Sequence, residues 1–225
     1  MDIHILGARE DSLGEALKIA AWSAGDEATT WGITKYEDYN ISDFDFSACN
    51  VICTIGVNEP YDLAVNSTED LERSMENNFL TPLRFFQKWL NTPIRETGNL
   101  HPNPVGRFVF ISSNSAHIAR SGSLSYCASK AALSMAVRVA ARDIAVRDGG
   151  RGPWENRYVW AYEPCWIEGT KMSQKVTERL AGNLPHRVPG GKGASRYKLA
   201  QLIHENMRGE TMLHGSCLRV DLGDQ

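Results

Sequence analysis

The chain has 225 residues, 42% of them hydrophobic and 23% charged, with a formal net charge of −3. This describes one soluble globular domain or two small ones, and the slight acidity argues against nucleic acid or an anionic membrane as the main partner. No stretch approaches the roughly 20 consecutive apolar residues of a membrane span, and the opening MDIHILGARE lacks the basic start of a secretory signal, so a cytoplasmic protein is expected.

In chain order, the apolar residues 3–6 ending at Gly7 predict a buried strand opening into a turn. Ser12 and Glu15 read as a capping box before a helix whose Leu13, Ala16, Leu17, Ala20 and Ala21 recur at helical spacing. Residues 28–33 predict a second strand, 39–41 a shorter third, and 51–55 a buried strand ending at Gly56. Residues 67–90 predict one long helix with Leu71, Met75, Phe79, Leu83, Phe86 and Leu90 on one face. A Pro-, Asn- and Gly-rich loop at 91–106 leads to a strand at 108–111. A second long helix follows at 124–146, with a small apolar stripe of Ala131, Ala132, Met135, Val139 and Ala140. A turn at 148–153, a strand at 158–162 broken by Pro164, a helix at 194–206 and a strand at 217–220 complete the chain. Short apolar strands alternating with helices predict an α/β doubly wound parallel sheet in a single domain over residues 1–225.

The five cysteines, Cys49, Cys53, Cys127, Cys165 and Cys217, contain no C-x-x-C pair and are expected as reduced thiols. The six histidines show no metal-ligand spacing, so no metal site is expected. Gly7 and Gly14 bracket the first strand-to-helix turn, where backbone N–H groups and the helix dipole favour an anion such as a dinucleotide pyrophosphate. With only two glycines, an ordinary capped turn explains the segment equally well. Arg9 is either a phosphate contact or a solvated charge.

Tyr126 and Lys130 stand four apart, on one face of the second long helix. A phenol titrates near ~10 in water, and a neighbouring ammonium favours its ionised form, lowering that value. Such a phenol can pass a proton to or from a carbonyl or alcohol oxygen. Ser113 ends a strand at the carboxyl edge of the sheet, where its hydroxyl can bond the same oxygen. Separately, each residue is more readily structural than catalytic: Tyr–Lys pairs and strand-end serines are common.

Together, Ser113, the twelve residues after it and Tyr126-Cys127-Ala128-Ser129-Lys130 resemble the short-chain dehydrogenase/reductase family. Asn78 in Asn77-Asn78-Phe79-Leu80-Thr81-Pro82, the serines after residues 110–111, and the segment from Glu163 to Thr170 follow that family's order. The resemblance implies a Rossmann-like fold and an NAD(P)-dependent oxidoreductase acting on a small alcohol or carbonyl compound. It makes Tyr126 the general acid/base and gives Lys130 the tuning of Tyr126 and the nicotinamide ribose. Ser113 would position the substrate oxygen and Asn78 a relay water. On the cofactor side it points to Gly7, Arg9, Ser12, Leu13, Gly14, Gly56, Pro164, Ile167 and Thr170.

The chain departs from the family on that side. Ser12 stands where the middle glycine would be, Thr54-Ile55-Gly56-Val57 replaces the family's N-N-A-G, and Pro164-Cys165 replaces proline-glycine. The span from Gly7 to Gly56 is short, so a helix between the second and third strands is expected to be missing. No acid follows the second strand; Thr34 and Lys35, with Arg9, could receive a phosphate, which leans the choice to NADP over NAD. Residues 165–196 are expected to form a substrate loop hinged at the glycines of 190–193, with Trp166, Met172 and residues 118–124 lining the pocket; Trp166 and Met172 as core is the competing reading. The small apolar stripe suits a homodimer or homotetramer, against burial within the monomer. A non-catalytic relative that senses a dinucleotide or docks a partner is the alternative function. An epimerase or dehydratase would require a larger substrate domain than 225 residues allow.

Overall fold

The computed structural model describes residues 1–33, 40–44, 46, 50–58, 67–92, 105–147, 156–174, 193–209 and 213–220. Six strands form one sheet: β1 (Asp2–Leu6), β2 (Glu27–Trp31), β3 (Asn50–Cys53), β4 (Gly106–Ile111), β5 (Arg157–Pro164) and β8 (Cys217–Val220). Their order is β2-β1-β3-β4-β5-β8, with every pairing parallel. β6 (Ile167–Glu168) and β7 (Ala194–Ser195) form a separate two-stranded pair.

The strand side chains alternate between two cores, as a period of two requires. Phe108 and Phe110 point to a cluster with Phe85, Phe86, Trp89, Leu133 and Val137. Val109 and Ile111 point to the opposite cluster, with Leu17, Trp160, Tyr162, Leu199 and Ile203. The first face is covered by α2 (Thr68–Met75), α3 (Thr81–Asn91) and α4 (Leu124–Val146), the second by α1 (Leu13–Ser23) and α5 (Arg196–Arg208). Both faces are therefore buried, which explains the unbroken apolar strands. Full burial of one such side chain contributes about 1.5–3 kcal/mol.

Several expectations change. Ile41–Asp43 is a short 3-10 turn rather than a third strand, and Tyr39 lies outside the described residues. In place of a strand there, Phe44 and Phe46 pack onto Phe85 as aromatic cover for the sheet. The helix expected at 67–90 is divided: a π-helical turn, Glu76–Leu80, separates α2 from α3. β5 runs through Pro164 because the proline closes the strand's end, and the ladder continues with Cys165 N–H donating to Val220 O at 2.9 Å. The last helix begins at Arg196, two residues late, since Ala194–Ser195 pair with Ile167–Glu168. The 148–153 turn and most of the 91–106 loop fall outside the described residues.

Candidate active site

β1 lies between β2 and β3, so the chain reverses its direction of winding there, and in such sheets ligands bind at that point, beyond the carboxyl ends of the strands. Gly7, Gly56, Ser113 and Pro164 all lie at or just past those ends.

Asn78 sits inside the π-helical turn and is completely buried. Its Oδ1 accepts from Val57 N at 2.7 Å, and its Nδ2 faces Val57 O at 2.9 Å, Ser129 Oγ at 3.1 Å and Ser74 Oγ at 3.2 Å. The side chain thus clamps the chain after β3 to α4. π-helical turns insert one residue into a helix and recur at functional sites.

Lys130 is 3% exposed, and its Nζ donates to Ile111 O at 2.9 Å. Burial pulls its pKa down to about 8, with the nearby Cys53 acting the other way. A Cβ placed on Gly56 would lie 3.2 Å from both Lys130 Nζ and Asn78 Oδ1. The backbone of Gly56 therefore packs against the lysine head and the Asn78 amide, where a larger residue would have to displace one of them.

Tyr126 is buried beside Ser113, whose hydroxyl is its hydrogen-bond partner. Burial raises the phenol's pKa, against the lowering effect of Ser113; Cys127 adds to the rise and Arg120 opposes it. This corrects the expectation that Lys130 makes the phenol acidic. The ammonium lies 5.9 Å from the Tyr126 ring centroid and is engaged by Ile111 O, so desolvation wins. Ser129, bonded to Asn78, also donates to Tyr126 O at 2.8 Å, so Asn78, Tyr126 and Ser113 are linked, while Lys130 is held by Ile111 O.

The cofactor-side residues also gather, by contacts the sequence did not signal. Asp11, in a left-handed conformation (φ 53°), accepts from Arg196 at 3.2 Å through its carboxylate and from Lys171 N at 3.3 Å through its carbonyl. The glycine loop is thereby tied to the segment holding Ile167 and Thr170. The Thr170 hydroxyl is shared with Ser173, 3.1 Å away, as a local cap. Gly14 packs so closely on Ala8 that a Cβ would fall 2.6 Å from Ala8 Cα, while Gly7 (φ 86°) meets Ile55. Ser12 caps α1 next to Leu13 and accepts from Glu15 N, but it also takes Arg9 N at 3.0 Å, and Glu15 Oε2 takes Asp11 N at 3.0 Å. Arg9 Nη2 donates to Ile33 O at 3.0 Å, which holds its cation at the end of the second strand. Thr34 and Lys35 lie outside the described residues.

A nicotinamide dinucleotide, the group this fold family implies, therefore meets two different ends. At the reacting end the residues fit: a buried ammonium against the backbone of Gly56, a phenol–hydroxyl pair, and a buried Asn58 Oδ1 with no hydrogen-bond partner, able to accept from a sugar hydroxyl. At the diphosphate end the loop's mid-turn amides are already held by Ser12 and Glu15, and Ser12 also takes the Glu15 amide, leaving those of Leu13 and Gly14 in the first turn of α1.

Sequence inspection missed the polar floor under this site. Glu163 is fully buried, contacting His117 Nε2 at 2.9 Å and accepting from Ser134 Oγ at 2.7 Å; Ser134 also lies 2.8 Å from Ser112 Oγ. An acid within an apolar strand was the available signal. Trp166 is half-buried over Gly193, and Met172 is 37% exposed, so neither belongs to the core. Cys53, Cys127, Cys165 and Cys217 are free thiols.

A family model described as short chain dehydrogenase matches residues 51–179, more than half of the chain. No curated protein gives a significant match. Among solved structures, a short chain dehydrogenase family protein from Francisella tularensis superposes with a TM-score of 0.77 at 14% identity, covering 99% of this chain and 97% of that one. A 3-oxoacyl-[acyl-carrier protein] reductase from Brucella melitensis, in complex with NAD, gives 0.75 at 18% identity, covering 99% and 96%. A candidate 2-deoxy-D-gluconate 3-dehydrogenase from Agrobacterium tumefaciens, with bound NADP, gives 0.75 at 17%, covering 99% and 95%. The parallel sheet and the matched residues lead to one conclusion: this chain belongs to the short chain dehydrogenase family.

Proposed function

We propose that the chain is an NAD(P)-dependent oxidoreductase interconverting a small carbonyl compound and its alcohol. The observation that carries this reading is the convergence of Ser113, Tyr126, Lys130 and Asn78 at the carboxyl edge of the sheet. When bound, the nicotinamide supplies or accepts the hydride. Ser113 and Tyr126 bond the substrate oxygen, and Tyr126 gives it a proton on reduction or takes one on oxidation. A phenol kept protonated by burial is suited to the donating role. Lys130 and Gly56 would hold the nicotinamide ribose, and Asn78 keeps the mouth of β3 in register. Gly7, Ser12, Leu13 and Gly14 would face the diphosphate, with Pro164, Ile167 and Thr170 opposite. Arg9 would meet a 2′-phosphate, which favours NADP over NAD. The NADP- and NAD-bound structural neighbours support a nicotinamide cofactor without choosing between them.

Nicotinamide fluorescence during titration with NADPH and NADH tests the binding half. Tyr126→Phe tests the chemistry: turnover should vanish while the cofactor still binds. Undiminished turnover in that variant removes Tyr126 from the mechanism.

The self-bonded glycine loop favours a second reading, a non-catalytic relative that senses a dinucleotide or docks a partner. Tight cofactor binding with no turnover on any carbonyl or alcohol would select it. Met135 and Val139 are 55% and 51% exposed on α4, which supports a second copy of the chain as their cover, measurable by sedimentation.

A further inference from the structure

An ion pair between a loop and a helix is ordinarily a structural tie that contributes little. The pair between Asp11 and Arg196 spans the two sides of the diphosphate end described above, the glycine loop on one and the segment of residues 167–170 on the other. Its geometry is loose. Both terminal nitrogens of Arg196 reach a single oxygen of Asp11, Oδ1, at 3.2 and 3.3 Å. Charge-assisted bonds of this kind ordinarily measure about 2.7–2.9 Å, and a firm arginine–carboxylate pair uses both oxygens in parallel.

Neither partner depends on the other for its place. Nη1 of Arg196 also donates to Gly169 O at 2.7 Å and Nη2 to the Tyr197 hydroxyl at 3.0 Å, and the guanidinium lies 5.0 Å from the Tyr197 ring centroid. The left-handed turn at Asp11 (φ 53°) is fixed through its backbone: its N–H donates to Glu15 Oε2 at 3.0 Å and its carbonyl accepts from Lys171 N at 3.3 Å. The Asp11 carboxylate takes no part in either bond and, among the described residues, meets Arg196 alone.

An acid in a turn that receives a diphosphate opposes the ligand by charge, and Asp11 stands two and three residues before the Leu13 and Gly14 amides that would bind it. A guanidinium anchored elsewhere and loosely paired can exchange one anion for another, and phosphate oxygens suit its planar fork. We propose that Arg196 is a cofactor-binding residue: when a dinucleotide arrives, it parts from Asp11 and donates to a diphosphate oxygen, so that Asp11 serves as an internal competitor that lowers cofactor affinity. The proposal rests on the nicotinamide-cofactor reading above and adds a residue from α5, outside the segments that carry the family resemblance.

The test titrates NADPH and NADH, by nicotinamide fluorescence, into wild type, Asp11→Asn, Arg196→Met, Arg196→Lys and the double variant Asp11→Asn/Arg196→Met. Urea unfolding of the unliganded proteins is measured in parallel. Asparagine tolerates the left-handed backbone at residue 11, so Asp11→Asn keeps the turn. Asp11→Asn should tighten binding about three- to tenfold, and Arg196→Met should weaken it about tenfold. Arg196→Lys should lie between Arg196→Met and wild type, since the charge remains and the fork does not. The gain from Asp11→Asn should shrink in the Arg196→Met background, where no guanidinium is released. A purely structural tie gives another pattern: both single variants weaken binding, in step with lost urea stability. That result, or an Asp11→Asn gain of the same size with and without Arg196, overturns the assignment while leaving the cofactor reading in place. If neither nucleotide binds wild type or Asp11→Asn, the cofactor reading itself fails and the assignment falls with it.

Discussion

Lys130 should make the folded protein less stable at neutral pH than it would be without it. The ammonium is 3% exposed, and its pKa falls from 10.5 to about 8 on folding. At about 1.4 kcal/mol per pH unit, holding the charge in the fold costs on the order of 3 kcal/mol. Replacing it by methionine removes that cost and also removes the bond from Nζ to Ile111 O, worth about 1 kcal/mol. The net expectation for Lys130→Met is a gain of about 2 kcal/mol at pH 7, with loss of turnover. The sign follows from linkage: between pH 8 and 10.5 the unfolded chain holds a proton that the folded state has released, so wild-type stability rises with pH across that window. Above it neither state carries the charge, and the advantage of the variant is gone. Tyr126, whose own value is raised, acts in the opposite sense over similar pH values but is present in both proteins, while Cys53, raised to about 12, is pushed further up when Lys130 is removed. The difference between the two urea-unfolding curves, followed by tryptophan fluorescence from pH 7 to pH 11, therefore reports the lysine together with its coupling to Cys53. A variant less stable than wild type at pH 7, or a difference that does not change with pH, refutes the reasoning.

Three other outcomes follow from the same geometry. Carbonyl reduction, measured by NADPH absorbance, should hold steady up to pH 8 and decline above it as Lys130, with its pKa of about 8, loses its charge; a profile flat to pH 10 would separate the lysine from the rate. Glu15→Gln should tighten NADPH binding roughly two- to fivefold by removing a negative charge at the start of α1, read by nicotinamide fluorescence. Gly14→Ala should cost roughly 1–3 kcal/mol in urea unfolding, because its Cβ would sit 2.6 Å from Ala8 Cα and backbone must move.

The parts of the fold that could be read from sequence are those where burial is apolar. Residues 51–53 and 108–111 are continuous apolar runs because helices cover both faces, and the parallel sheet follows from that. The helix before β4 was misread where burial is polar. Of the expected face, Phe86 is buried in the core and Phe79, Leu83 and Leu90 pack against it while partly exposed, whereas Leu71 and Met75 do not join it. The expectation left out the buried polar side chains Ser74, Asn77, Asn78 and Thr81, of which Asn78 reaches the chain after β3 and α4. The extra residue of the π-helical turn leaves no mark in hydrophobic periodicity. The third strand failed for a related reason: aromatic side chains at 44 and 46 cover the sheet without pairing to it, and composition does not distinguish the two.

The candidate site divides along the same line. Tyr126 and Lys130 were legible because helical spacing alone puts them on one face. The chemistry of the glycine loop was not, since it depends on which acceptors its amides find. Ser12 and Glu15 supply those acceptors from within the chain, and Asp11 fastens the loop to the opposite wall through Arg196. On the function proposed above, a dinucleotide approaching this turn would compete with acceptors the fold already carries, whereas a substrate oxygen approaching Tyr126 would meet the Ser113–Tyr126 hydroxyl pair. Affinity for the cofactor should therefore respond to substitutions at residues 11, 12 and 15 that leave the reacting end untouched. On the reading proposed above, binding and chemistry would be separable by mutation at these residues, because the loop's hydrogen bonds form a network apart from that of Ser113 and Tyr126.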